Sequence, residues 1–239
     1  MDFIAVLADN VRSQAYIQTL VKEKMFPSKV IILNNCANNS LGIISKKSLL
    51  LRKDKYFFKN SIMDIKESLI ISLEKNNISY EIVNNADINS DEVYKKVSNC
   101  KKRIVLVSVF AGQILKPKIL STKKKFLHIH PGKLPDYRGS TTLYYSLLQS
   151  CKVAATAIFL NEEIDKGNII CSKEYEFNFD PKLIDLVFDP LLRAEVLLEA
   201  MKLLSKKKNI EKSQNKLSGN DYFIIHPVLK HLAILKEEK

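Results

Sequence analysis

The sequence predicts an α/β protein: a mostly parallel sheet with helices on both faces and a small C-terminal extension. Three observations carry that expectation. Short apolar runs rich in β-branched residues alternate with segments of helical period, as expected of strands buried on both faces. The strongest run, Arg103-Ile104-Val105-Leu106-Val107-Ser108-Val109-Phe110, has the composition of a central strand. A later apolar run, Phe126 to His130, passes directly into Pro131, Gly132, Pro135 and Gly139. That places a loop at a strand's carboxyl edge, where open sheets of this Rossmann-like kind bind ligands.

Taken in order, Phe3 to Ala8 reads as the first strand. Asp9-Asn10 then supplies a helix cap before a helical pattern through Tyr16, Leu20 and Val21. Val30 to Leu33 is a second buried strand, and Asn34 to Lys59 shows no clear period and reads as loop. Ile62, Ile65, Leu69 and Leu73 are spaced for one face of a helix over about Ile62 to Lys75. A strand near Ser79 to Val83, a charged helix from Ser90 to about Asn99 and the strong Arg103 to Phe110 strand follow. Beyond the histidine loop come a helix through Tyr144 to Leu148 and strands at Ala154 to Leu160 and Asn168 to Cys171. Pro181 opens a helical stretch to Lys206. After a lysine-rich linker, the tail from Tyr222 to Leu235 is too apolar to be free. We expect one main domain over residues 1–180. Residues 181–239 are expected to form a C-terminal helix and apolar tail, packed on the core or on a dimer partner.

At 239 residues and 46% hydrophobic the chain can bury a full core. It lacks any run of the ~18 apolar residues that a membrane helix needs and the regions of a signal peptide, so the expectation is a cytoplasmic protein without membrane insertion. Cys36, Cys100, Cys151 and Cys171 are far apart and form no metal or redox spacing. The net charge of +12 raises the question of a polyanionic partner. Only five of the 38 basic residues are arginine, the side chain that dominates specific phosphate and base recognition, so dispersed lysines read as solvated surface and nucleic acid is disfavoured.

The residues that carry chemistry begin with His128 and His130. In a strand, side chains at i and i+2 share a face, so the two imidazoles point the same way. Three segments then line up. Val109 to Leu115 forms a turn, Phe126 to Gly139 contains His-Pro and Leu-Pro-Asp-Tyr-Arg-Gly, and Asn161 to Ile169 contains Asp165-Lys166-Gly167 about thirty residues after the loop. In order and spacing these resemble the folate-dependent formyltransferases, closely over Ile104 to Ile170, more loosely from Phe3, and weakly after Pro181. Among them the sugar N-formyltransferases of surface-carbohydrate biosynthesis are nearest.

The resemblance implies transfer of a formyl group from N10-formyltetrahydrofolate to an amine, at an Asn, His and Asp triad. His130 matches the family histidine and Asp165 the aspartate, while His128 stands where the family has asparagine. Acyl transfer develops negative charge on the carbonyl oxygen, and a preorganised donor there is worth ~10² to 10³ in rate. A ring N–H of His128 can supply it. His130 would move the proton of the attacking nitrogen, and Asp165 would orient that ring and raise its basicity. The resemblance also implies that Phe110, Ala111, Gly112, Gln113, Ile114 and Leu115, with Glu162, Glu163 and Ile164, form the pterin pocket largely through backbone groups.

The acceptor is narrowed by what the chain lacks. The segment after the first strand, Asp9 to Ser13, has no glycine with which to cradle a phosphate, which argues against the purine-pathway substrate. Some seventy residues follow Asn168, too few for the C-terminal barrel of the initiator-tRNA enzyme. A nucleotide-linked amino sugar remains, with Asn10, Arg12, Lys133, Tyr137, Arg138, Ser140, Thr141 and Thr142 as candidate contacts. A methionyl-tRNA formyltransferase-like enzyme is one alternative. A metal-dependent hydrolase using the His-x-His pair is another, and a catalytically silent homologue the third. The formyltransferase reading implies no metal.

Overall fold

The computed structural model describes residues 2–35, 53–206, 210–214 and 218–236. A seven-stranded sheet organises them. In chain order the elements are β1 (Phe3–Ala8), α1 (Val11–Lys22), β2 (Lys29–Leu33), β3 (Lys55–Phe58), β4 (Ser61–Asp64), α2 (Leu69–Lys75), β5 (Tyr80–Val83), α3 (Asp91–Asn99) and β6 (Ile104–Ser108). There follow α4 (Pro117–Leu120), β7 (Lys125–His130), β8 (Tyr137–Gly139), α5 (Thr142–Ser150), β9 (Lys152–Phe159), β10 (Ile169–Glu176), α6 (Asp189–Ser205), β11 (Asn220–Tyr222) and α7 (Pro227–Lys236). The sheet runs β10-β9-β7-β6-β1-β2-β5. Its strands from β5 to β7 are parallel, and β9 and β10 extend it antiparallel. The predicted mostly parallel α/β sheet is therefore present.

Alternation along β1 shows why the centre is apolar throughout. Phe3, Ala5 and Leu7 face one core with Tyr16 and Leu20 of α1 and Leu197 and Met201 of α6, whereas Ile4 and Val6 face a second core with Val93 and Val97 of α3. A strand covered on both sides has no polar face to spare. Asn10 caps α1 by accepting from the Ser13 amide at 3.0 Å, and Ser90 caps α3 through the Val93 amide.

Two sequence expectations need correction between Asn34 and Lys75. Part of the expected loop, 36–52, lies outside the described residues, but its end is the strand β3. The expected helix over Ile62 to Lys75 exists only from Leu69, where the Ser68 hydroxyl accepts from the Ile71 amide. Its first part is β4, hairpinned antiparallel to β3 with Met63 opposite Tyr56. The reason is tertiary. The side chains of Gln14 and Gln18 on α1 donate to the carbonyls of Asp64 and Glu67, and the Thr19 hydroxyl accepts from the Ile62 amide at 3.1 Å. The neighbouring helix thus holds this backbone extended.

The C-terminal segment docks back. β11 pairs in parallel with β8, α7 lies against α5, and Ile225 and Ala233 are buried. Gly139 admits that pairing: its φ is +97°, and a Cβ there would stand 2.1 Å from the Tyr222 carbonyl oxygen. No helix among the described residues is long and apolar enough to cross a membrane.

Candidate functional site

β7 ends at His130, and its alternation sends Leu127 and Ile129 into one core and Phe126 into the other. His128 and His130 share the side of Phe126. The loop from β9 to β10 brings Asp165 to the same point, at a φ of +53° that aspartate tolerates better than most residues. One ligating atom from each of His128, His130 and Asp165 lies within 4.8 Å of the others. The three groups singled out in the sequence thus form one cluster at the carboxyl edge of the sheet.

The environment of His130 assigns its protons. The ring is 1% exposed, and its Nε2 lies 2.6 Å from the Tyr137 carbonyl oxygen. A carbonyl only accepts, so Nε2 carries the hydrogen. The Thr142 hydroxyl, 3.3 Å from Nε2, donates to the Pro131 carbonyl and so also presents a lone pair to that hydrogen. Nδ1 is then left with its lone pair, 3.3 Å from Asp165 Oδ2. A proton arriving at Nδ1 would meet a carboxylate at once. Gly132 closes this corner: a Cβ there would stand 2.8 Å from Thr142 Oγ1 and 3.0 Å from His130 Nε2.

Burial alone would raise the Asp165 carboxyl. The attraction of a proton held on the facing His130 ring and a 2.9 Å bond from the Gly139 amide overcome that, holding it well below the usual carboxylate range. His128 moves down to about 3: burial disfavours its charged form and outweighs the pull of Asp165, and the nearby Arg193 and Arg12 oppose the charge further. The ring is therefore a neutral imidazole at physiological pH, with one N–H to offer.

The remaining candidates separate into groups. Arg12 bonds the Ser108 hydroxyl at 2.9 Å and the Val109 carbonyl, tying α1 to the turn after β6, while Asn10 serves as the cap of that helix. In the turn, Phe110 is half-buried and Leu115 buried, Ala111 and Gly112 are exposed, and Ile114 is 51% exposed. Gln113 is committed to the backbone of Ala86 and Ile88. In the β9–β10 loop Glu162 is exposed, Glu163 pairs with Lys166 at 3.3 Å, and Ile164 is 53% exposed. Exposed isoleucines beside accessible backbone suit a flat, partly apolar ligand.

Most polar groups of the histidine loop are engaged by neighbouring segments. Arg138 is buried and pairs with Asp221 at 2.8 Å. The Thr141 hydroxyl accepts from the Ile225 amide at 2.9 Å, and the Ser140 amide donates to the Tyr222 carbonyl. Tyr137 stacks on Tyr222 at 5.4 Å and bonds Gln149. Lys133 is exposed and pairs with Glu174. Thr142 is fully buried beneath His130. Tyr137, Arg138, Ser140 and Thr141 thus hold the loop and the C-terminal segment together.

Sequence reasoning missed Arg193. It is buried on α6, bonded to Asp189 at 2.8 Å and to the Tyr16 side chain, with Nη1 3.4 Å from the Ile129 carbonyl. Its charge lies close enough to depress His128. The signal available was an arginine four residues after an aspartate, on the side of a predicted helix that also carries the apolar Leu197 and Met201.

A family model described as "Formyl transferase" matches residues 30–182. The methionyl-tRNA formyltransferase of Finegoldia magna is 28% identical over 111 residues, covering 46% of this chain and 36% of that protein. That of Buchnera aphidicola is 28% identical over 171 residues, covering 68% and 53%. The chain thus spans about a third to a half of these curated relatives. In structure it resembles the N-formyltransferase of Helicobacter canadensis, in complex with folinic acid and dTDP-3-aminofucose, with a TM-score of 0.62 at 18% identity over 93% of this chain and 71% of that one. At that identity the likeness concerns the fold.

Proposed function

The chain belongs to the formyl transferase family, and from that membership we propose that it carries a formyl group from N10-formyltetrahydrofolate to the amine of a nucleotide-linked amino sugar. The observation that supports this reading is the convergence of two imidazoles and an ionised carboxylate at the carboxyl edge of the sheet. The acceptor class is taken from the Helicobacter protein, whose complex holds a nucleotide-linked amino sugar.

The amine nitrogen attacks the formyl carbon, a C–N bond forms, and the carbonyl oxygen becomes negative. The N–H of neutral His128 donates to that oxygen in place of the family's asparagine, and the buried Arg193 and Arg12 favour negative charge there. The lone pair on His130 Nδ1 takes the proton that the attacking nitrogen sheds, and Asp165 stabilises the resulting imidazolium. When the bond from carbon to N10 breaks, that proton goes to N10 and tetrahydrofolate leaves. Tyr137 and Thr142 act on His130 by fixing its tautomer.

Phe110 to Leu115 and Glu162 to Ile164 are the segments we assign to the pterin, through backbone groups and the exposed Ile114 and Ile164. Of the earlier substrate candidates we keep Arg12, half-buried beside the turn after β6, and the exposed Lys133 for the acceptor's charged groups. Methionyl-tRNA is the second reading, favoured by the names of the curated relatives. The test is incubation with N10-formyltetrahydrofolate and a panel of dTDP- and UDP-linked amino sugars, with methionyl-tRNA beside them, following tetrahydrofolate release. Turnover with an amino sugar is expected. Release with methionyl-tRNA alone would move the assignment to tRNA, and none with any acceptor would overturn it.

A further inference from the structure

We propose that His128, His130 and Asp165 together bind a divalent transition-metal ion, and that the ion, when bound, closes this site to group transfer. The first half stands on geometry alone. The second rests on the formyl-transfer reading above.

A four-coordinate ion with ligands at ~2.0 to 2.1 Å separates adjacent donor atoms by about 3.3 to 3.4 Å. The His130 Nδ1 to Asp165 Oδ2 distance is 3.3 Å, so these two atoms already stand as one edge of such a tetrahedron. A ligating atom of His128 lies within 4.8 Å of both, and a ring movement of about 1 Å would bring it onto the third corner of that face. Two imidazole nitrogens and one carboxylate oxygen suit zinc, cobalt or iron, whereas calcium and magnesium prefer oxygen. Three protein ligands leave further positions open to water.

The surrounding groups are those that ligating side chains need. A metal-bound histidine commonly donates its other ring N–H to a carbonyl or carboxylate. His130 does so to Tyr137, which directs the Nδ1 lone pair towards Asp165. The Asp165 carboxylate is steadied by the Gly139 amide, and its backbone carbonyl accepts from the Gln214 side chain at 2.9 Å. Arg193 opposes a dication, but Asp189 offsets it at 2.8 Å. The imidazole at position 128 is what allows a third ligand: an asparagine there would present an amide, a poor ligand for these ions.

The consequence for transfer is direct. An ion that takes the Nδ1 lone pair of His130 and a nitrogen of His128 removes both the proton acceptor and the donor assigned above.

The probe for binding is Co²⁺ titrated into the full chain, read by visible ligand-field absorption and by the shift in melting temperature. Wild type is expected to develop the absorption of a four- or five-coordinate ion, saturating at one equivalent, and to melt higher. His128→Asn and Asp165→Asn are each expected to lose at least tenfold in affinity and to show no melting shift. Both variants must also melt within a few degrees of wild type without metal, so that lost binding is not lost folding. No absorption in wild type, or equal binding in both variants, would overturn the site. Stoichiometric Zn²⁺ is expected to suppress formyl transfer at least tenfold, with recovery on adding EDTA, and an unchanged rate with the ion bound would overturn the competition. If the acceptor panel yields no transfer, the Co²⁺ titration still reads the metal site alone.

Discussion

Replacing Asp165 by asparagine isolates the charge in this cluster from its shape. Asparagine is nearly isosteric, tolerates the positive φ of +53°, and its amide oxygen can still accept from the Gly139 N–H. What changes is the partner of His130. A carboxylate 3.3 Å from an imidazolium Nδ1 attracts it by about 5 kcal/mol at an effective dielectric of 20. Asp165 Oδ2 makes both the Gly139 and the His130 contact, so the asparagine oxygen that keeps the Gly139 bond stands opposite Nδ1 without charge, and the imidazolium loses its counter-charge. Loss of a positioned proton acceptor costs roughly 10² to 10⁴ in rate, about 3 to 5 kcal/mol, so most of that attraction is expected to disappear from kcat. The assay is tetrahydrofolate release at saturating donor with the best acceptor of the panel, alongside a far-ultraviolet melt showing the variant folded. A folded variant within about threefold of the wild-type rate, less than 1 kcal/mol, would refute the assignment of His130 and Asp165 as the proton-accepting pair.

Two further outcomes follow from the same contacts. Because folding lowers the Asp165 carboxyl below its unfolded value of about 3.9, its contribution to stability is complete above about pH 4 and is lost as pH falls through the folded value. Wild type should exceed Asp165→Asn in urea midpoint by more at about pH 6 than at about pH 3, and a constant difference would contradict this. Gly139→Ala should drive β11 from β8, since the new Cβ would meet the Tyr222 carbonyl at 2.1 Å. Limited proteolysis is expected to cut the variant ahead of Tyr222 sooner than wild type, and identical digestion would count against the docked C-terminal segment.

Much of the fold was legible because its signals are local. The buried strands β1, β2 and β6, the caps at Asn10 and Ser90, and the shared face of His128 and His130 all follow from residue type and period. The helix expected from Ile62 misled for the same reason. Its spacing is truly helical, but Gln14, Gln18 and Thr19 on α1 offer the backbone of residues 62–67 better partners as a hairpin. Order and spacing along the chain also pointed to the resemblance that led to Asp165.

By itself, then, the sequence determined the alternation of strands and helices, the place of the histidine loop at a strand's carboxyl edge, and the residue types available there. Only the tertiary structure decided how those residues divide. Thr142 and the Tyr137 carbonyl set the tautomer of His130, Arg138 and Thr141 anchor the C-terminal segment, and Arg193 arrives behind His128 from a helix more than sixty positions away in the chain. Periodicity is a property of neighbours along the chain. The partner of a buried polar group is set by which distant backbone or side-chain atoms folding brings within hydrogen-bond reach, because leaving that group unpaired costs more than any local preference can return.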